Sequence, residues 1–283
     1  MDMQTYTITT DEGLSLYARS QGSDTDQLPM ICLHGLTRNA ADFDDIAAIL
    51  ASDRKVYALD FRGRSRSDYD TNWRNYIPPV YVQDVLAMMD QLNISRAVFC
   101  GTSLGGLVTM LLAQATPDKV AAAILNDIGP VIEADGLARI QTYTGALPGA
   151  SDWDDALQQL KTIYGATLQD LDDDDFMRLC RRTYREQPDG SLAFDYDQNV
   201  GRAIREVDMQ LGDPWQLFAA LHDIPTLVLR GELSDILGAA TVAEMAAQHP
   251  NLVSATIANR GHVPLLNEPD SVAAIQQFLG AIS

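Results

Sequence analysis

The chain reads as a doubly wound α/β domain carrying a helical insertion. Three observations predict this. Short, unalternated apolar runs recur along the chain, helical patterns separate them, and the rhythm breaks once, after Pro130, before resuming near Thr226. Continuous apolar runs bounded by Gly, Asp or Pro suit parallel strands covered on both faces. Their alternation with helices implies a parallel sheet flanked on both sides. A chain of 283 residues can bury ample core as one such domain, with or without an inserted piece.

In order, residues 5–9 and 14–19 read as two strands joined by a turn at Asp11-Glu12-Gly13. Apolar runs follow at 30–33, 56–59, 97–100 and 120–125. Between the second and third of these, Val82, Val85, Leu86 and Met89 share one face of a helix whose start is marked by Pro78-Pro79. From 131 to 218 the strand signals nearly vanish, and Trp153, Ala156, Leu157, Leu160, Ile163 and Tyr164 form a helical stripe. The sheet resumes at 226–229, a helix over 239–248 stops at His249-Pro250, and 253–257 is another strand. A final helix opens near Pro269 and buries Val272, Ile275, Phe278, Leu279 and Ile282. The division is therefore an α/β core over 1–130 and 219–283 and a helical cap over 131–218.

The 20 Lys and Arg against 39 Asp and Glu leave a net charge of −19. Such a surface repels phosphate backbones and anionic lipid, which weighs against nucleic acid or a membrane surface as partner and favours solubility. A hydrophobic fraction of 46% argues against a disordered chain. Cys32, Cys100 and Cys180 are scattered and odd in number, which suggests buried thiols rather than a disulfide framework. The beginning of the chain lacks the basic and apolar regions of a secretory signal, and no apolar run approaches bilayer-spanning length, so a reducing cytoplasm is expected. The run Asp172-Asp173-Asp174-Asp175 lacks the spaced ligands and bend glycine of a calcium loop. It reads as a solvated helix start, with Asp174 and Arg178 as an i,i+4 pair.

The strongest chemical signal is Val98-Phe99-Cys100-Gly101-Thr102-Ser103-Leu104-Gly105-Gly106-Leu107. An apolar strand runs directly into Gly-x-Ser-x-Gly and an apolar helix follows, the context of a nucleophile elbow. The turn is tight enough to exclude side chains at Gly101 and Gly105. It presents the Ser103 hydroxyl at the end of the sheet, while the Leu104 N–H points where an oxyanion would form. A serine needs a base, commonly an imidazole held by a carboxylate. His34 follows a strand and braces its loop, His222 lies at the opposite end of the sheet, and His249 ends a helix where exposure is expected. That leaves His262, between the last strand and the last helix, at the carboxyl end of the sheet where ligands gather. For the acid, Asp235 in Gly231-Glu232-Leu233-Ser234-Asp235 is the first choice, with Asp127 at the end of the preceding strand as rival; Glu232 reads as a structural contact. Gly35 permits an unusual turn in His34-Gly35-Leu36, so the Leu36 N–H becomes the second oxyanion donor. Gly35, Arg38 and Trp153 are candidate substrate contacts, although Arg38 reads better as a surface or loop-bracing arginine and Trp153 better as part of the cap core.

These motifs together resemble the α/β-hydrolase superfamily, in its group of cap-bearing serine hydrolases. The resemblance rests on His34-Gly35, Asp60-Phe61-Arg62-Gly63-Arg64-Ser65-Arg66-Ser67-Asp68, the elbow, Gly231 to Asp235, and Gly261-His262, which appear in the family's order along nearly the whole core. It implies an eight-stranded, mostly parallel sheet with a helical cap inserted after the sixth strand. It also implies nucleophile, acid and base at Ser103, Asp235 and His262. Haloalkane dehalogenases and epoxide hydrolases resemble this pattern but carry Asp at the elbow, so serine argues against both activities.

The activity expected is hydrolysis of a carboxylic ester, or a related acyl bond, of a small hydrophobic molecule through an acyl-enzyme. The cap aromatics form its ceiling. Hydrolysis of carbon–carbon bonds or enol lactones, and a receptor that binds without turnover, are the rivals. No cofactor or metal is expected, because His and Cys lack ligand spacing and no dinucleotide or phosphate-loop fingerprint appears. The partners are a small-molecule substrate and water, and oligomeric state is not legible.

Overall fold

The computed structural model describes residues 3–208 and 212–282. Met1 and Asp2 at the start of the segment read for a signal, residues 209–211 of the expected cap, and Ser283 lie outside the described residues. The chain begins with strands β1 (Gln4–Thr9), β2 (Ser15–Gln21) and β3 (Met30–Leu33), followed by helix α1 (Asp44–Leu50) and β4 (Val56–Leu59). Then come α2 (Pro78–Gln91), β5 (Ala97–Thr102), α3 (Leu104–Ala115) and β6 (Val120–Asn126). The inserted stretch holds α4 (Ala134–Tyr143), α5 (Trp153–Tyr164), α6 (Asp173–Thr183), β7 (Tyr184–Glu186), β8 (Leu192–Phe194) and α7 (Asn199–Glu206). Helix α8 (Pro214–Ala219) leads back to β9 (Thr226–Gly231), α9 (Ala239–Gln248), β10 (Leu252–Ile257) and α10 (Pro269–Ala281).

Eight strands form one sheet in the order β1-β2-β4-β3-β5-β6-β9-β10. The β1–β2 and β2–β4 pairs are antiparallel, and every pair from β4 to β10 is parallel. The apolar runs are unalternated because both faces are covered, and successive residues serve different cores. Ile31, Leu33 and Phe99 join the cluster under α2, α3 and α9, whereas Met30, Cys32, Val98 and Cys100 join the one under α1 and α10. The opposed Cys32 and Cys100 are buried free thiols, and burial pushes the Cys32 thiol above its ordinary range.

The inserted stretch departs from the expectation in three ways. It contains an antiparallel hairpin, β7–β8, whose three-residue strands are too short for any periodicity to reveal. Helix α8 packs on α3, so the core resumes before residue 219. In the acidic run, Asp172 and Asp175 form a reciprocal capping box, and Arg178 pairs with Asp175 at i,i+3 rather than with Asp174. Outside the insert, His249 is buried instead of exposed. Its Nε2 donates to the Leu221 carbonyl at 2.7 Å and its Nδ1 accepts from the Asn251 N–H at 3.1 Å. Burial lowers its pKa, consistent with a neutral ring in those two bonds. Among the described residues, no helix is long and apolar enough to cross a membrane.

Candidate active site

The elbow is built by exclusion. A side chain on Gly105 would place Cβ 1.9 Å from the Leu33 carbonyl oxygen, and one on Gly101 would lie 2.4 Å from the Gly105 backbone. With both positions bare, α3 comes close enough to β3 and β5 for the chain to reverse in one residue. That residue is Ser103, at φ 50° and ψ −111°, a left-handed conformation costly for a residue with a Cβ. Its N–H donates to the Asn126 carbonyl at 3.0 Å, which anchors the strained turn to the neighbouring strand. Helix α3 begins at Leu104, so the Leu104 N–H belongs to the first turn, where no intrahelical acceptor exists.

The loop after β10 brings His262 to this point. Its Nε2 lies 2.9 Å from Ser103 Oγ and its Nδ1 lies 2.8 Å from Asp127 Oδ2. Asn126 holds the loop in place, since its side-chain amide donates to the Pro264 carbonyl at 2.9 Å and to Thr102 Oγ1 at 3.1 Å. The carboxylate facing His262 is thus Asp127 and not Asp235, the first choice from the sequence. The sheet order explains the correction. Strand β6, which Asp127 follows directly, lies beside β5, whereas β9 is one strand further out and Asp235 lies four residues beyond its end. Asp127 is fully buried at φ 55° and also accepts from the Gly231 N–H at 2.8 Å and the Ser234 hydroxyl at 2.6 Å. Ser234 carries no chemical motif of its own, so its part in this network was not legible.

Asp235 is bound elsewhere. Arg139 of α4 grips it in a two-pronged pair, Nε to Oδ2 at 2.6 Å and Nη2 to Oδ1 at 2.9 Å. Burial raises its pKa, but the Arg139 hydrogen bonds and charge outweigh burial and hold the carboxyl below its ordinary range. The pair therefore ties the insert to the loop after β9. Glu232, as expected, is a structural contact, accepting from the Asn259 N–H at 3.1 Å.

On the other side of Ser103 stands the loop after β3. His34 is wholly buried, its Nδ1 donating to the Gly35 carbonyl at 2.7 Å and its Nε2 accepting from the Phe61 N–H at 3.0 Å. The second bond requires an unprotonated Nε2. Burial pushes the pKa down to about 3, so His34 is a neutral brace, as the sequence suggested. The bond from His34 to the Gly35 carbonyl orients the peptide that carries the Leu36 N–H, and the buried Arg64, which also donates to Tyr81, donates to the Leu36 carbonyl at 3.1 Å and fixes the following peptide. It sits in the segment from Asp60 to Asp68, which Arg62 anchors through a buried two-pronged pair with Asp84 at 2.9 and 2.5 Å. Asp60 accepts from the Ala40 N–H at 2.6 Å, and burial raises its pKa to about 6.

Ser103 and His262 open on a cavity of about 80 Å³ between the core and the insert. Gly35 and Leu36 form part of its floor, and Ile140, Tyr143, Tyr164 and Leu179 come from the insert. Arg38 reaches the cavity but is committed, with Nε and Nη2 on Asp42 at 2.8 and 2.6 Å and Nη1 on the Thr183 hydroxyl. It braces the loop against the insert. Trp153, a candidate contact from the sequence, is absent from the cavity wall; it opens α5 and stacks under the Arg181 guanidinium at 4.7 Å. Its helical stripe did not distinguish the residue facing the cavity, Tyr164, from those packing inside the insert. Among the described residues, no group of three His, Cys, Asp or Glu side chains is placed to hold a metal ion.

Known proteins share this architecture. A solved alpha/beta hydrolase from Novosphingobium aromaticivorans DSM 12444 superposes with a TM-score of 0.93 over 98% of each chain, at 41% identity. A 3-hydroxybutyrate-oligomer hydrolase of Cupriavidus necator is 31% identical over 268 residues, 88% of this chain and 87% of that protein. Esterase YbfF of Escherichia coli K12 is 26% identical over 267 residues, 94% of this chain and 98% of that protein. Residues 30–275 match the family described as the alpha/beta hydrolase family. With its eight-stranded sheet, its serine elbow and these relatives, the chain belongs to the alpha/beta hydrolase family.

Proposed function

We propose that this protein hydrolyses carboxylic esters of small molecules through a covalent acyl-serine. The observation that carries this reading is the continuous hydrogen-bond chain from Ser103 through His262 to Asp127, opening on a cavity between the core and the insert. The relative from Cupriavidus necator, a 3-hydroxybutyrate-oligomer hydrolase, supports hydrolysis, and the esterase from Escherichia coli supports the bond type. In this mechanism His262 Nε2 takes the Ser103 proton as Oγ attacks the carbonyl carbon. Asp127 holds the Nδ1–H and stabilises the imidazolium. The N–H groups of Leu36 and Leu104 receive the oxyanion; removing one such donor typically costs on the order of a hundredfold to a thousandfold in rate. The leaving alcohol takes the proton from His262. Water, deprotonated by the same ring, then attacks the acyl carbon and frees Ser103 and the acid. The stretch from α4 to α7 acts as the cap that shields these steps from bulk water.

The test is an aryl-ester series assayed on the protein and on Ser103→Ala, with a fluorophosphonate probe applied to both. The expected result is turnover and stoichiometric labelling of the unaltered protein and neither in Ser103→Ala. Labelling that survives the substitution would move the nucleophile elsewhere.

A further inference from the structure

Two hydroxyls at the ceiling of the cavity play no part in the acyl-transfer steps. Tyr143 ends α4, Tyr164 ends α5, and both line the cavity beside Thr144. Other interior tyrosines are engaged away from it. Tyr76 donates to Asp197 at 2.7 Å, Tyr81 accepts from Arg64 at 2.7 Å, Tyr184 donates to Gln159 at 3.0 Å, and Tyr196 accepts from the Gly145 N–H at 3.0 Å. Tyr143 and Tyr164 are engaged at the cavity itself: the two phenols are within hydrogen-bonding reach of each other, and the Arg139 guanidinium is beside Tyr143, 6.0 Å from its ring centroid. Burial pushes the Tyr143 phenol well above its usual range, so it is present as a neutral hydroxyl.

The surroundings decide what these hydroxyls can recognise. Ile140, Leu168, Leu179 and Leu36 make the adjoining wall apolar, and a cavity of about 80 Å³ leaves room for a small acyl group only. The two guanidiniums nearest the ceiling are each gripped by a carboxylate, Arg139 by Asp235 and Arg38 by Asp42. The ceiling therefore offers neutral groups that donate and accept, and no unneutralised charge for a carboxylate. Arg139 and the neighbouring phenol satisfy only part of the two hydroxyls' capacity, so a plain alkyl acyl chain would strip water from the donor and lone pairs that remain and return nothing. A chain bearing a hydroxyl would pair with them.

Resting on the ester-hydrolase reading above, we propose that Tyr143 and Tyr164 are specificity-determining residues that select short acyl groups carrying a hydroxyl. The substrate class is then esters of small hydroxy acids, with the hydroxyl seated between the two phenols. Arg139, fixed by Asp235, is the positioning residue that keeps Tyr143 in place.

The test compares methyl butyrate with methyl 3-hydroxybutyrate by pH-stat titration, each kcat/KM normalised to the ester's own hydroxide-catalysed rate. The unaltered protein is expected to favour the hydroxy ester by about tenfold, the discrimination that one well-placed hydrogen bond supplies. In Tyr143→Phe and Tyr164→Phe the ratio is expected to fall toward one. Because the ratio is taken within each variant, loss of folded protein cancels, and fluorophosphonate labelling counts the sites that remain. A ratio near one in the unaltered protein, or one that both variants retain, overturns the proposal while leaving the hydrolase reading intact. Labelling of Ser103 without turnover of either ester does the same. Absence of both labelling and turnover overturns the two together.

Discussion

The core and the insert build the site by different means. The core supplies Ser103, Asp127 and His262 from three strand-end loops, and their contacts are short, buried and cross-braced. Asp127 alone is held by a backbone N–H, a hydroxyl and an imidazole. The insert is fastened at its rim by ion pairs, such as Arg139–Asp235 with about a third of each side chain exposed and Arg182–Asp45. It contributes the ceiling. Buried hydrogen bonds to a charged group fix geometry strongly, whereas partly exposed pairs are screened by water and salt and contribute little each. Under the proposed function, reaction rate depends on the core and choice of acyl group on the insert.

Asp127→Asn tests this division most severely. It preserves shape but removes the charge that orients and stabilises the His262 imidazolium, and kcat for an aryl ester is expected to fall roughly 10³- to 10⁴-fold. Asp235→Asn, the matching change on the insert's anchor, is expected to alter kcat less than about fivefold, since a partly exposed pair is worth at most about 1 kcal/mol. Steady-state kinetics of the two variants side by side would invert the assignment of the acid if their order reversed. Between them falls Ser234→Ala, which deletes one donor to Asp127 and should cost about tenfold in kcat with KM little changed. The smallest effect concerns the core's stability against pH. On acidification below 6.5, His34 takes a proton only in the unfolded chain, because its folded pKa lies near 3, and stability falls. Asp60, raised from 3.8 to about 6, takes a proton first in the folded state, which offsets that loss between those values. Asp60→Asn removes the offset. Its stability relative to the unaltered protein should therefore drop by about 1 kcal/mol more at pH 5 than at pH 7, measured by urea denaturation.

Much of this was legible along the chain. The strands reveal themselves as apolar runs because burial on both faces demands it, and the break after Pro130 marks where the sheet stops growing and the insert begins. The elbow is equally visible, since no side chain but hydrogen fits at Gly101 or Gly105. His262 followed from its place after the last strand. The β7–β8 hairpin escaped because three residues carry no period, and the burial of His249 escaped because it depends on packing against Leu221 and Phe218, distant in sequence. Trp153 and Tyr164 lie on the same helical stripe, and only the docking of α5 separates the one under Arg181 from the one over the cavity.

The sequence by itself therefore determined the sheet, the insert, the serine at its bend and the histidine after the last strand, because each rests on local sterics or on the period of burial. Which carboxylate meets that histidine was decided only in three dimensions. Asp127 and Asp235 both follow strands and both precede His262 in the chain, so order along the polypeptide cannot separate them. Their distance from Ser103 depends on which strands are neighbours in the sheet, and their availability depends on Arg139 reaching across from the insert to claim one of them.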